Sequence, residues 1–272
     1  MFYPLLSVLC SLLIANYLRM LKHRQNISIL SLFLGNYLLA SIFSFFLNGG
    51  LPVDAGSFEI LLGTATGFLF LINFLVFQKN IAVNNLSLSV TVMRISVIIP
   101  VIAALGFFGE SINAANAAGI VIIMISFLNG EGKGPASDRK WLFLLFLLTG
   151  LTDSSLKIFE VYSPKPDSLF LAVVFSSAFF FNLLILIIKG SFDFRFFLCG
   201  FLLGIPNQLS SLFFLLSLRH YPAAIVYPMI STLIVIFSII CDLLLWKQKF
   251  SRRQKLFFLL MIIGIVLINI RQ

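Results

Sequence analysis

Ten stretches of apolar residues, each about as long as a bilayer is thick, occupy nearly all of the chain between Phe2 and Ile270. A helix needs roughly 20 such residues, rising 1.5 Å each, to cross the hydrocarbon layer. Inside that layer an unpaired backbone group has no water to bond. Only helices and closed barrels satisfy every N–H and C=O there, and apolar runs of this length select helices. The spans fall at 2–20, 28–47, 57–78, 86–108, 112–129, 141–160, 168–188, 195–217, 222–245 and 256–270. With 60% hydrophobic and 11% charged residues, the chain lacks the polar surface that a water-soluble fold requires. The expected fold class is therefore an all-α membrane protein of ten transmembrane helices, with the lipid bilayer as its first partner.

The connections are short, and 272 residues leave no room for a soluble domain beside ten spans. Net charge is +9, but the cations stand singly or in short clusters beside apolar spans, which is the loop bias of inserted proteins. No nucleic-acid partner is expected. The basic residues Arg19, Lys22 and Arg24 follow the first apolar run instead of preceding it, so 2–20 reads as a span and not as a signal peptide. Cys10, Cys199 and Cys241 lie within apolar spans without metal or disulfide spacing, and His23 and His220 are isolated. No metal and no cofactor is expected.

A Gly/Pro-rich segment near the middle divides the chain. Residues 1–131 form a first five-helix repeat, 132–140 a linker and 141–272 a second repeat. A shift of 137 residues lays Lys79–Glu110 over Leu216–Lys247, matching a polar knot, a long apolar span, a hydrophilic corner and a short final span. An odd-numbered repeat inserts in opposite senses in its two copies, an architecture of secondary transporters with a midplane substrate site. Of the 19 basic residues, 14 fall in the odd-numbered loops, four (Lys157, Lys165, Arg219, Arg271) on the opposite side, and Arg94 within a span. Basic loops stay cytoplasmic, so this bias predicts that both termini face outward.

Tyr221-Pro-Ala-Ala-Ile-Val-Tyr-Pro-Met-Ile-Ser-Thr-Leu-Ile and its span resemble the ninth span of EamA-like transporters of the drug/metabolite superfamily. The first-half counterpart is similar to the family pattern too, with Pro100 in span four, Gly109-Glu110 at its end and Gly119 in the last span. The resemblance implies ten spans in two inverted five-span repeats and a transport activity. Two positions depart from it: Trp246-Lys247 replaces the second Gly-Glu, and the family keeps its termini in the cytoplasm.

Ionisable groups at bilayer depth are costly and usually face a cavity or a partner. Arg94, in Val90-Thr-Val-Met-Arg-Ile-Ser-Val, has no acid on its own span and is the strongest candidate to bind a substrate carboxylate or phosphate. Asp153, Glu160 and Asp242 are its candidate structural partners. Asp153 and Lys157 stand four apart on span six and can share one helix face, with Lys157 near the membrane edge. Asp242 reads as an anchor beside Lys247 and Lys249. Among neutral groups, Asn16, Asn36 and Asn73 lie in the first three spans, and Asn207 and Gln208 follow Pro206. Tyr227 beside Pro228 offers a hydroxyl. Proline frees a backbone carbonyl, and such irregularity at membrane depth is tolerated where it lines protein or water. The candidate substrate-binding set is Arg94, Asn73, Asn36, Asn207, Gln208, Tyr227, Asp153 and Lys157, with no catalytic residues. Small residues in spans five and ten (Ala114, Ala115, Ala118, Gly119, Gly264) favour close packing and admit a homodimer contact.

No Walker motif is present, so an ATP-driven pump is not indicated. The first span carries no acid, which disfavours proton-coupled export of cations and leaves an anionic or zwitterionic metabolite, such as an amino acid, as the expected small-molecule substrate. The alternatives are an intramembrane lipid-modifying enzyme, for which the carboxylates are too dispersed, or a non-transporting scaffold. Transport by alternating access across the cell (inner) membrane is the leading expectation.

Overall fold

A computed structural model describes residues 2–22, 28–50, 54–84, 86–129, 138–190, 192–244, 252–268 and 270. Among these residues the chain forms eleven α-helices and no strand: α1 (Phe2–Lys22), α2 (Ile29–Leu47), α3 (Ser57–Asn84), α4 (Leu86–Ile95), α5 (Ile98–Gly106), α6 (Ala114–Asn129), α7 (Arg139–Tyr162), α8 (Asp167–Lys189), α9 (Phe194–His220), α10 (Ala223–Leu244) and α11 (Arg252–Ile268). Among the described residues, seven segments are long and apolar enough to cross a membrane: α2, α3, Ser89–Gly106, α7, α8, α9 and Ala223–Cys241. Phe2–Leu18, Ala114–Ser126 and Leu259–Ile268 are shorter apolar helical stretches. Exposed large side chains such as Ile188, Phe107, Phe46 and Leu61 have lipid as their natural environment.

The eleventh helix arises because the expected fourth span is broken. Ser96 and Val97 form a turn between α4 and α5. Pro100 has no N–H to give the Ser96 carbonyl, and its ring crowds that group from four residues on. The carbonyl accepts the N–H of Ile99 instead, at 3.0 Å, and Ser96 Oγ donates back to the Met93 carbonyl at 2.6 Å. The break thus lies one turn ahead of the proline. Pro206 and Pro228, by contrast, sit inside the unbroken helices α9 and α10.

The helices group into two compact units, each drawing on both halves of the sequence. The first comprises Met1–Leu71 and Ile158–Ser217. Its helices meet through small residues and hydroxyls. A Cβ on Gly35 would strike the Phe197 carbonyl oxygen, and one on Gly200 the Leu32 carbonyl oxygen, so α2 and α9 cross with their backbones touching. Gly204 repeats the arrangement one turn on, against Leu39 and Ala40. Gly63 and Gly67 admit α8 to α3 in the same way. Without water to expel, helices in lipid associate by such packing and by hydrogen bonds. Ser7 Oγ donates to the Ser210 carbonyl at 2.9 Å, Tyr17 Oη to that of Cys199 at 3.1 Å, and the hydroxyls of Ser41 and Ser176 lie 2.6 Å apart. Leu21, Leu32 and Leu203 form an apolar cluster beneath them.

The second unit comprises Ile72–Lys157 and Leu218–Gln272. At one end Asn84 is a two-way staple between α3 and α7. Its Nδ2 donates to the Asp138 carbonyl and its Oδ1 accepts the Asp138 N–H, both at 2.9 Å. Asn80 Nδ2 adds a bond to the Trp141 carbonyl at 2.7 Å. The helix pair α6 and α11 packs through Gly119 and Gly264, where a Cβ on Gly119 would lie 2.7 Å from the Gly264 oxygen. Asn116 Nδ2 donates to the Ile268 carbonyl at 2.8 Å, closing the end of α11. Gly119 and Gly264 thus serve a contact within one chain.

Candidate functional site

Five of the eight candidate residues fall in the second unit and converge on α7. Asp153 and Lys157, one turn apart on that helix, divide between two partners. The charged neighbour of Asp153 is Arg94, two residues before the break that follows α4. Arg94 is half-buried, and its Nε is buried with no hydrogen-bond partner. Tyr227, buried on α10, donates its hydroxyl to the Asp153 carbonyl at 2.6 Å. Thr149 Oγ1, one turn before Asp153, donates to Asn73 Oδ1 at 2.9 Å and joins α3 to α7.

Lys157 is buried and paired. Its Nζ lies 2.9 Å from Oε1 of Glu110, with the two side chains 7% and 12% exposed. Glu110 also accepts two backbone bonds, the Ala223 N–H on Oε1 and the Ala224 N–H on Oε2, each at 2.9 Å. These N–H groups open α10, where no intrahelical acceptor exists and the helix dipole is positive. One carboxylate therefore ties the α5–α6 corner, α7 and the start of α10 together.

Glu110 is the residue that sequence reasoning missed. Its only signal was the Gly109-Glu110 corner itself. Gly109 adopts φ +67°, a left-handed conformation that suits glycine, and so ends α5 with a sharp turn. As a set, Arg94, Asp153, Lys157 and Glu110 hold two positive and two negative groups. Such internal balance is what burial at membrane depth demands.

The remaining candidates belong to the first unit. Asn207 Nδ2 donates to Asn36 Oδ1 at 3.3 Å, joining α9 to α2 one turn from the glycine crossing. Gln208 is fully buried, and neither atom of its amide has a partner. Asn16 turns back on its own helix to the Leu12 carbonyl at 2.9 Å. The proposed anchoring of Asp242 by Lys247 and Lys249 lies outside the described residues. No group of three or more His, Cys, Asp or Glu side chains suited to a metal occurs among the described residues.

Comparison with known proteins adds two findings. Residues 136–270 match the profile of the EamA-like transporter family. A protein of known crystal structure is similar over 98% of this chain and 98% of its own, with a TM-score of 0.77 at 12% identity, a likeness of fold alone. No curated protein matches the sequence.

Proposed function

We propose, because residues 136–270 match the EamA-like transporter family, that the chain is a secondary transporter for a small anionic or zwitterionic metabolite, an amino acid being the best fit. Substrate passes the cell (inner) membrane by alternating access between two inverted five-helix repeats, 1–131 and 141–272.

The observation that carries this reading is Arg94. Its guanidinium lies beside a helix break in a span that is otherwise uncharged, with a buried Nε bonded to nothing in the chain. A guanidinium fork suits a planar carboxylate, and a buried donor left unbonded costs about 1–3 kcal/mol, which a ligand acceptor would recover. Asp153 supplies the complementary negative group for an ammonium. A zwitterion therefore finds both of its charges answered by one arginine and one aspartate. Tyr227 and the Asn73–Thr149 pair hold the α7 segment that presents Asp153. Asn36, Asn207 and Gln208 form a separate, neutral set of amides within the first unit.

The test is uptake and efflux of radiolabelled amino acids in proteoliposomes, with and without a proton gradient. Arg94→Gln should insert normally and lower flux at least about tenfold, the loss expected when one member of a buried charged contact is removed. Asp153→Asn should weaken zwitterions more than simple carboxylates. Unchanged flux in Arg94→Gln would remove the arginine from the site and favour a scaffold. A reporter fused after Gln272 reads the orientation, with an outward location expected from the basic loops.

A further inference from the structure

The first unit carries an apolar groove of about 590 Å³ that has no part in the proposed transport site. Its walls are Leu34 and Leu38 of α2 and Phe179, Leu183 and Leu186 of α8, with Phe197 of α9 at one end. Every one of these side chains is hydrocarbon. Gly190 and Phe192, in the loop joining α8 to α9, close that end. Gly190 is the C-cap of α8 in the left-handed conformation, φ 60°, so the helix stops abruptly there.

The charges beside that end are not neutral overall. Lys189 immediately precedes Gly190, and Arg195 opens α9 two residues before Phe197; both are exposed. Asp193, the acid of the loop, caps α9: its Oδ1 accepts the N–H of Arg195 at 2.8 Å and of Phe196 at 3.3 Å. Two exposed cations against one acid leave a net positive charge at the end of an apolar trough. By its place in the sequence the loop is also one of the odd-numbered loops that hold 14 of the 19 basic residues, the side on which anionic headgroups are expected.

We propose that this groove is a binding site for an anionic phospholipid, with one acyl chain along the α2–α8 seam and the phosphate at Lys189 and Arg195. The site is independent of the transport reading. A zwitterionic lipid fits the same trough but gains less from the two cations.

The experiment compares phosphatidylglycerol with phosphatidylcholine on the full chain, purified in detergent and examined by native mass spectrometry after titration with each lipid. The wild type should hold phosphatidylglycerol with a preference of about tenfold to thirtyfold, the effect expected of two basic residues at a lipid headgroup. The exposed double variant Lys189→Ser/Arg195→Ser should lose that preference while keeping its melting temperature. Leu183→Trp, which fills the trough, should lose retention of both lipids. Equal binding of the two lipids by the wild type, or an undiminished preference in the double variant, overturns the proposal. The double variant decides the matter by itself should Leu183→Trp not insert.

Discussion

Replacing Glu110 should destabilise the protein far more than replacing the lysine that faces it. Glu110→Ala leaves Lys157, 7% exposed, as a buried cation without its carboxylate. It also strips the Ala223 and Ala224 N–H groups of their acceptors. An orphaned buried charge costs about 3–5 kcal/mol, and the lost cap alone is worth about 1 kcal/mol. Lys157→Met removes the other half of the same pair but leaves Glu110 with both N–H bonds and the positive end of α10. Its loss should be only about 1–2 kcal/mol. In Glu110→Ala/Lys157→Met no charge remains unpaired, although the first N–H groups of α10 stay uncapped, so the double variant should be less destabilised than the two single changes added together. The coupling expected is about 1–3 kcal/mol. Unfolding in bicelles titrated with sodium dodecyl sulfate, followed by tryptophan fluorescence, measures all four proteins on one scale. If Lys157→Met were as damaging as Glu110→Ala, or if the losses simply added, the carboxylate would not be the shared anchor described above.

Other consequences can be checked with the same assay. Tyr227→Phe removes the 2.6 Å bond to the Asp153 carbonyl and should cost about 1 kcal/mol, with a further loss of flux because α7 is held less firmly. Gly200→Val drives a side chain into the Leu32 carbonyl and should cost at least about 3 kcal/mol, whereas Gly106→Ala, with open space around its Cβ, should be neutral or stabilise by up to about 1 kcal/mol. Asn84→Leu breaks both bonds to Asp138 and should lower stability by about 2 kcal/mol, detected also as faster proteolysis near residue 138.

Length and hydropathy were enough to locate the helices. Most of their ends lie within a few residues of the apolar runs, because lipid penalises any backbone that is not helical, although α3 continues to Asn84, six residues past its run. The break in span four was legible only in part: Pro100 pointed to it, but the carbonyl that a proline offends lies four residues back, so the chain yields at Ser96–Val97. Arg94 and Asp153 stood out because charge is rare at that depth. Their pairing did not, since nothing in the local pattern favours Asp153 over Glu160 or Asp242. Glu110 escaped because its partners, at 157, 223 and 224, are remote in sequence, and a single acid at a loop corner resembles any solvated turn. Asn80 and Asn84 served as landmarks of a repeat, while their amides in fact staple α3 to α7, a role visible only once both helices are in place.

The crossing of α2 and α9 has a further implication. Where carbonyl oxygens at Leu32 and Phe197 rest against glycine Cα atoms, there is no layer of side chains to act as a lubricant. Such a joint can pivot by small angles, but translation along either axis would bring a bulky neighbour into the notch at once. Conformational cycling should therefore carry these two helices as one stiff strut, leaving deformation to places where the ladder is already interrupted.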